Sequence, residues 1–268
     1  MSFSKSLGQN FIVNPSVCPR MAEEAGIDET TGVIEIGPGI GVLTREIAAR
    51  ARKVVCIELD TRLLPILDET LHDFDNVEVI NADVLKINLH ELIEEKFSGM
   101  KVAVCANLPY YITSPIIMML LESRLPIESI TVMVQKEAAD RLCCDVGSRE
   151  SGAVTVAVDY YAQAQKLFNV SRGSFMPPPN VDSSVIKLTV RKQPPVALKD
   201  EKLFFSVVKA AFAQRRKTSL NSISSGLGMS KADVGAAIEA AGLDINVRAE
   251  KLNMEQLALL CDELSLRR

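Results

Sequence analysis

Tryptophan is absent from these 268 residues, histidine occurs twice, and aromatic residues make up only 5%. His72 stands beside Asp73 and His90 beside Glu91, so both are expected at the surface. Histidine-based acid–base catalysis is therefore a poor expectation, and no metal site is expected. Long apolar runs are also missing. The nearest, IIMMLL at 116–121, falls far short of the roughly 18 residues that span a bilayer. MSFSKSLGQNF, at the start, has one lysine and no apolar stretch, so no secretory leader and no membrane partner are expected. The six cysteines (18, 56, 105, 143, 144 and 261) lack metal-ligand spacing and sit mostly in apolar runs. Reduced thiols acting as small hydrophobes in a cytoplasmic protein are the expectation. Internal repeats and low-complexity segments are missing too.

What is present is an ordinary soluble composition, 47% apolar and 24% charged, enough to bury a real core in one large domain with a small appendage. From residue 33 the pattern alternates. VIEIG (33–37), KVVCIEL (53–59), VEVINAD (77–83), KVAVCAN (101–107) and ITVMVQ (130–135) read as strands, with helical periodicity over 42–51, 61–71, from Pro115 and from Lys136. Strands this apolar on both faces belong in a parallel sheet covered by helices. After residue 152 the rhythm changes: AVTVAVDYYA and SSVIKLTVR read as two strands around the proline-rich SFMPPPNVD, an antiparallel hairpin at the sheet edge. QPP at 193–195 reads as a linker, and the segments beyond it are helical. The expected organisation is thus an α/β domain over 1–193 and a small helical domain over 194–268.

The net charge of −4 argues mildly against a polyanionic partner, yet it hides an asymmetry. Between Lys187 and Lys217 nine basic residues face two acids, Asp200 and Glu201, a local excess of +7. Such a stretch fits either a nucleic-acid footprint or a solvated face.

The first strand runs into EIGPGIGVLT (35–44), whose glycines at 37, 39 and 41 permit a tight turn and close backbone approach to a ligand. A dinucleotide fingerprint, G-x-G-x-x-G, needs glycine at the sixth position, where Val42 stands. A nicotinamide dehydrogenase, which shares the fold, is accordingly disfavoured. Glu58 ends the second strand, 21 residues after Gly37, where an acid accepts from ribose hydroxyls. Asp83 ends the third and can accept from an adenine amino group. A glycine loop and two acids at the carboxyl ends of successive strands describe a nucleoside with an amino-acid tail, S-adenosyl-L-methionine.

NLPYYITSP (107–115) ends the fourth strand beside that crevice. With SLGQNFIVN (6–14), EIGPGIGVLT, NLPY (107–110) and FMPPPNVDS (175–183), the chain closely resembles the adenine-specific rRNA dimethyltransferases from Ser6 to its last helix. The resemblance implies a Rossmann-like class I methyltransferase sheet, mostly parallel with an antiparallel edge strand, followed by the helical domain. It places cofactor contacts at Asn10, Ile12, Gly37, Gly39, Glu58, Asp83 and Asn107. It implies that the Asn107 side chain and the Leu108 carbonyl hold the target amino group, that Pro109 fixes the turn, and that Tyr110 and Phe175 sandwich the base. Tyr111 is read as an edge aromatic rather than a stacking one. Relatives carry a basic G-R-L-S-V element near 151–156, where this chain has SGAVTV with Ala153 in place of the arginine; Arg149 is the candidate substitute for a phosphate contact.

Within the family, AAFAQRRKTSLNSI and VRAEKLNMEQLALL resemble the branch that dimethylates two adjacent adenosines near the 3′ end of small-subunit (16S) rRNA during ribosome assembly. The resemblance puts a helix start with Arg215, Arg216 and Lys217 against rRNA, and the assembling small subunit is the expected partner of a monomer. The alternatives are a non-catalytic assembly factor and a large-subunit methyltransferase of the macrolide-resistance type.

Overall fold

A computed structural model of the chain describes residues 10–267, so Ser6–Gln9 of the first motif lie outside the described residues. Among the described residues nine strands form: β1 (Phe11–Ile12), β2 (Thr31–Ile36), β3 (Lys53–Glu58), β4 (Val77–Asn81), β5 (Lys101–Asn107), β6 (Ser129–Gln135), β7 (Ala162–Val170), β8 (Phe175–Met176) and β9 (Ser183–Val190). Seven make one sheet in the order β4-β3-β2-β5-β6-β9-β7, while β1 and β8 pair separately. β4, β3, β2, β5 and β6 are mutually parallel. β9 runs antiparallel between β6 and β7, so the expected α/β sheet with an antiparallel edge is what forms. All six residues of β2 are buried, as expected of a central strand covered on both faces.

Helices α1 (Val17–Ala25), α2 (Val42–Ala48), α3 (Leu64–Leu71), α4 (Leu89–Lys96), α5 (Thr113–Glu122) and α6 (Lys136–Leu142) alternate with the parallel strands. Their ends follow local chemistry. The Asn88 side chain caps α4 by accepting from the His90 and Glu91 amides, and α1 stops at left-handed Gly26. Ile47, Met21 and Ala22, fully buried, pack with Val33, Val54 and Cys56 in the core on one side of the sheet. Among the described residues no helix is long and apolar enough to cross a membrane.

The run AVTVAVDYYA is not the expected strand. It forms α7 (Ala153–Tyr161), and the strand paired with β9 is β7, immediately after it. The reason is tertiary. Neighbouring Tyr160 and Tyr161 both donate to the carboxylate of Glu201, at 3.2 and 2.8 Å, and both rings meet Phe205. An extended strand would send them to opposite faces. α8 (Glu201–Phe212), α9 (Ser219–Leu227), α10 (Lys231–Ala240) and α11 (Met254–Ser265) complete the helices. The chain divides into two compact units, one of residues up to Ala139 with Ala162–Val190, the other of Asp140–Tyr161 with Arg191 onward. The breaks fall after 139, 161 and 190, so 140–161 groups with the C-terminal helices and the division is discontinuous, unlike the expected single boundary at 193/194.

Gly32, in the middle of the sheet, faces buried Phe97. A Cβ there would sit 2.3 Å from the ring. Gly32→Ala is expected to destabilise the protein by about 1–3 kcal/mol through overpacking, read as a lower urea midpoint with unchanged slope.

Candidate active site

Strand order reverses between β2 and β5, which opens a crevice at the carboxyl edge of the parallel strands. A cavity occupies it. Gly37, Gly39 and Gly41 follow β2 with φ of +68°, +63° and +86°, a left-handed run that strains any residue with a side chain. The Gly37 amide donates to the Ile57 carbonyl at 2.9 Å, tying the loop to β3. No atom lies within 4 Å of a Cβ position on Gly37, so its backbone is open to a ligand.

Two acids lie beneath this loop. Glu58, 6% exposed at the end of β3, accepts from the Asp60 amide at 2.7 Å and from the Gly39 amide at 3.4 Å. Burial raises its pKa, and those amides oppose the shift. Glu35, on β2, is 1% exposed and also lines the cavity. Burial pushes its carboxyl up to about 7; the Thr44 and Cys56 side chains beside it pull the other way. Asp83, after β4, accepts from the Leu85 amide at 3.0 Å and pairs with Lys86 at 3.3 Å.

Asn107 closes β5. Its Nδ2 donates to the Asn10 carbonyl at 3.4 Å, which fixes the amide so that Oδ1 is left as the acceptor. The Leu108 amide is used by the Met133 carbonyl at 3.2 Å, turning the chain out of the sheet. The Tyr110 hydroxyl and the Ser183 Oγ share a 2.6 Å hydrogen bond, joining the NLPY and FMPPPNVDS motifs; burial raises the Tyr110 pKa. β1 pairs with β8, and the Asn14 side chain donates to Ser174 at 3.2 Å, so the described part of the N-terminal motif meets the same loop.

All seven expected cofactor residues (Asn10, Ile12, Gly37, Gly39, Glu58, Asp83 and Asn107) line this one cavity, with Leu108, Pro109 and Tyr110. Phe175 does not. It is 2% exposed, paired with Ile12 across β1 and β8, and packed in the core with Cys105, Met133 and Val185. The short β1–β8 pairing turns its ring inward. Tyr111, read from sequence as an edge residue, lines the cavity and is 57% exposed. Nothing in the pair YY distinguishes a tethered tyrosine from an open one; only the position of Ser183 does. Phe11 and Leu59 also line the cavity, though neither belongs to a residue type or spacing that marks it in the sequence. Arg149, Arg215, Arg216 and Lys217 are exposed in the helical unit. There the Arg215 guanidinium donates to the Arg149 carbonyl at 3.2 Å. The last three sit in the turn between α8 and α9, not at a helix start.

A family model described as ribosomal RNA adenine dimethylase matches residues 1–266. The chain belongs to the ribosomal RNA adenine dimethylase family. It is 51% identical over 267 residues to the ribosomal RNA small subunit methyltransferase A of Geobacillus thermodenitrificans, covering 98% of this chain and 91% of that protein. Identity to the Bacillus licheniformis protein of the same description is 49%, with the same coverage. Among solved structures, the 23S rRNA methyltransferase ErmE superposes with a TM-score of 0.72 at 30% identity, over 96% of this chain and 100% of that one. A Plasmodium falciparum dimethyladenosine transferase gives 0.76 at 24% identity, over 96% and 98%, a likeness of fold.

As a family member the chain is an S-adenosyl-L-methionine-dependent rRNA adenine dimethyltransferase. Its residues fit that cofactor. Left-handed Gly37 leaves bare backbone at the cavity wall, Glu58 offers a carboxylate at the loop, and Asp83 adds a second at the next strand end. Glu58→Gln is expected to weaken S-adenosyl-L-methionine binding about tenfold or more, through loss of a charged acceptor, measured by calorimetry.

Glu35 makes stability depend on pH. Its folded pKa of about 7 lies above its ordinary 4.5, so between those values the folded state holds the extra proton. Its contribution is complete below pH 4.5 and is lost as pH rises to about 7, by up to about 3 kcal/mol. In urea unfolding at about pH 5 and about pH 8, Glu35→Gln is expected to gain on the wild type at the higher pH.

Proposed function

We propose that this protein transfers methyl groups from S-adenosyl-L-methionine to the exocyclic amino nitrogens of two adjacent adenosines near the 3′ end of small-subunit (16S) rRNA, giving dimethyladenosines during ribosome assembly. The observation that carries the reading is the fixed Asn107 amide at the end of β5, in the wall of the cofactor cavity. An adenine amino nitrogen is a poor nucleophile because its lone pair is delocalised into the ring. Acceptance of its two hydrogens by Asn107 Oδ1 and the Leu108 carbonyl favours a pyramidal nitrogen with its lone pair free. The cofactor supplies the electrophilic methyl. What the chain supplies is position, which fits a site without catalytic histidine.

Tyr110, held through its hydroxyl by Ser183, and exposed Tyr111 both line the cavity and bring aromatic surface to it. Base–aromatic stacking contributes on the order of 1–3 kcal/mol, comparable to the few kcal/mol needed to unstack a target base. The small-subunit assignment is supported by the two relatives near 50% identity, against 30% for the large-subunit enzyme. In this reading the helical unit meets rRNA through Arg149, Arg215, Arg216 and Lys217, and the protein works in the cytoplasm as a monomer on the assembling subunit.

Asn107→Ala is expected to abolish dimethyladenosine formation on unmethylated small subunits, read by mass spectrometry of the rRNA, while subunit binding persists. Loss of binding together with methylation would make Asn107 a structural residue and defeat this account of its role. Methylation confined to large-subunit rRNA would defeat the substrate assignment.

A further inference from the structure

The cofactor cavity carries charge of one sign. Glu35, Glu58 and Asp83 line it, and among the described residues no lysine, arginine or histidine does. Glu58 and Asp83 stand at strand ends, where the sequence pattern expects nucleoside contacts. Glu35 has no such assignment. It lies on β2, two residues before Gly37, and is 1% exposed. Glutamate is almost never buried to that degree unless paired, and an uncompensated buried carboxylate is costly.

The groups packed around Glu35 offer it little. The Cys56 thiol, its register partner on β3, donates to the carboxylate at 3.6 Å, and Thr44 of α2 lies beside it. Glu58, the charged neighbour from β3, repels it. Cys18 on α1 and Cys105 on β5 feel its charge, and burial first, then Glu35, raises both thiols, so they stay protonated. Glu46 on α2 acts on Cys18 in the same sense. Lys187 on β9 acts on Cys105, but its ammonium donates to the Glu24 and Ala25 carbonyls at 3.3 and 2.9 Å. The groups that act on Glu35 itself are neutral or acidic.

S-adenosyl-L-methionine has what this lining lacks, a sulfonium and an ammonium against a single carboxylate. We propose that Glu35 is an electrostatic partner of the cofactor's cationic tail, favouring it from beneath the glycine loop over ligands that lack the tail. Contact is not required, because Coulomb attraction falls only with the first power of distance and is weakly screened in a buried site. Glu35 is then a positioning residue rather than a catalytic one. In the absence of a cation, burial keeps its carboxyl protonated up to about pH 7. A bound cation favours the carboxylate, and the proton passes to solvent. The inference rests on the family's cofactor and not on the choice of small-subunit rRNA.

The test is calorimetry of S-adenosyl-L-methionine binding to the full-length protein near pH 6, in two buffers of different ionisation enthalpy. Release of about half a proton or more per cofactor is expected, with affinity rising about threefold or more from pH 6 to pH 7. In Glu35→Gln, folded by circular dichroism, the release should vanish, the affinity should stay flat over that range, and at pH 7 it should be about fivefold or more weaker than wild type. 5′-Methylthioadenosine, which has the nucleoside but neither cation, should bind both proteins alike without proton release. S-adenosyl-L-homocysteine keeps the ammonium alone: release with it too assigns the partner charge to the ammonium, and release with S-adenosyl-L-methionine only assigns it to the sulfonium. No release by the wild type, undiminished release in Glu35→Gln, or an equal loss of affinity for 5′-methylthioadenosine would overturn the proposal. Methyl transfer by the same wild-type sample keeps the two readings apart: intact transfer without Glu35-dependent release removes this role alone, and release without transfer removes the enzyme reading alone.

Discussion

Between β2 and β5 the chain's connections leave in opposite directions, and no helix can cover the carboxyl ends of both strands. That geometric constraint makes the crevice. The glycine loop after β2, Glu58 after β3, Asp83 after β4 and NLPYY after β5 come together because each ends a strand at the same edge. A parallel sheet aligns those ends. The cavity is thus a consequence of strand order, and the side chains around it are supported from below by a core packed on both faces.

The polar groups in that cavity are placed by secondary contacts rather than by their own flexibility. Asn107 is oriented through the Asn10 carbonyl, Glu58 through two amides, and Tyr110 through Ser183. These bonds link segments 73 to 97 residues apart for the two NLPYY residues. The methyl-transfer reaction asks for position more than for acid–base strength, and it is position that such long-range bonds supply. Glu35 differs in its charge: burial holds its proton well above the usual carboxylate range, so ionising it beneath the glycine loop is unfavourable.

The helical unit works by different physics. Its aromatic cluster (Tyr160, Tyr161, Phe204 and Phe205) is gathered around one carboxylate, Glu201. Arg215, Arg216 and Lys217 sit on the exposed turn between α8 and α9. A net charge of −4 over the whole chain therefore coexists with a locally positive surface, since Asp and Glu are spread through the sheet unit and the α8–α9 turn has none.

Much of this was legible in the sequence because it depends on local order. The all-apolar strands, the glycines at 37, 39 and 41, the strand-end acids and NLPY need only the period of the pattern and the turn chemistry to be read. Three features needed the tertiary structure. The run 153–161 alternates like a strand, and only the pull of Glu201 and Phe205 on two adjacent tyrosines makes it a helix. Phe175 sits in a motif that the resemblance assigns to base stacking, yet the two-residue pairing of β8 with β1 turns it into the core. Tyr110 and Tyr111 are chemically identical neighbours, and a hydroxyl on Ser183, far along the chain, decides which is tethered and which is open. Local pattern specifies what each segment is made of; which face it presents is settled by the partner that packing brings to it.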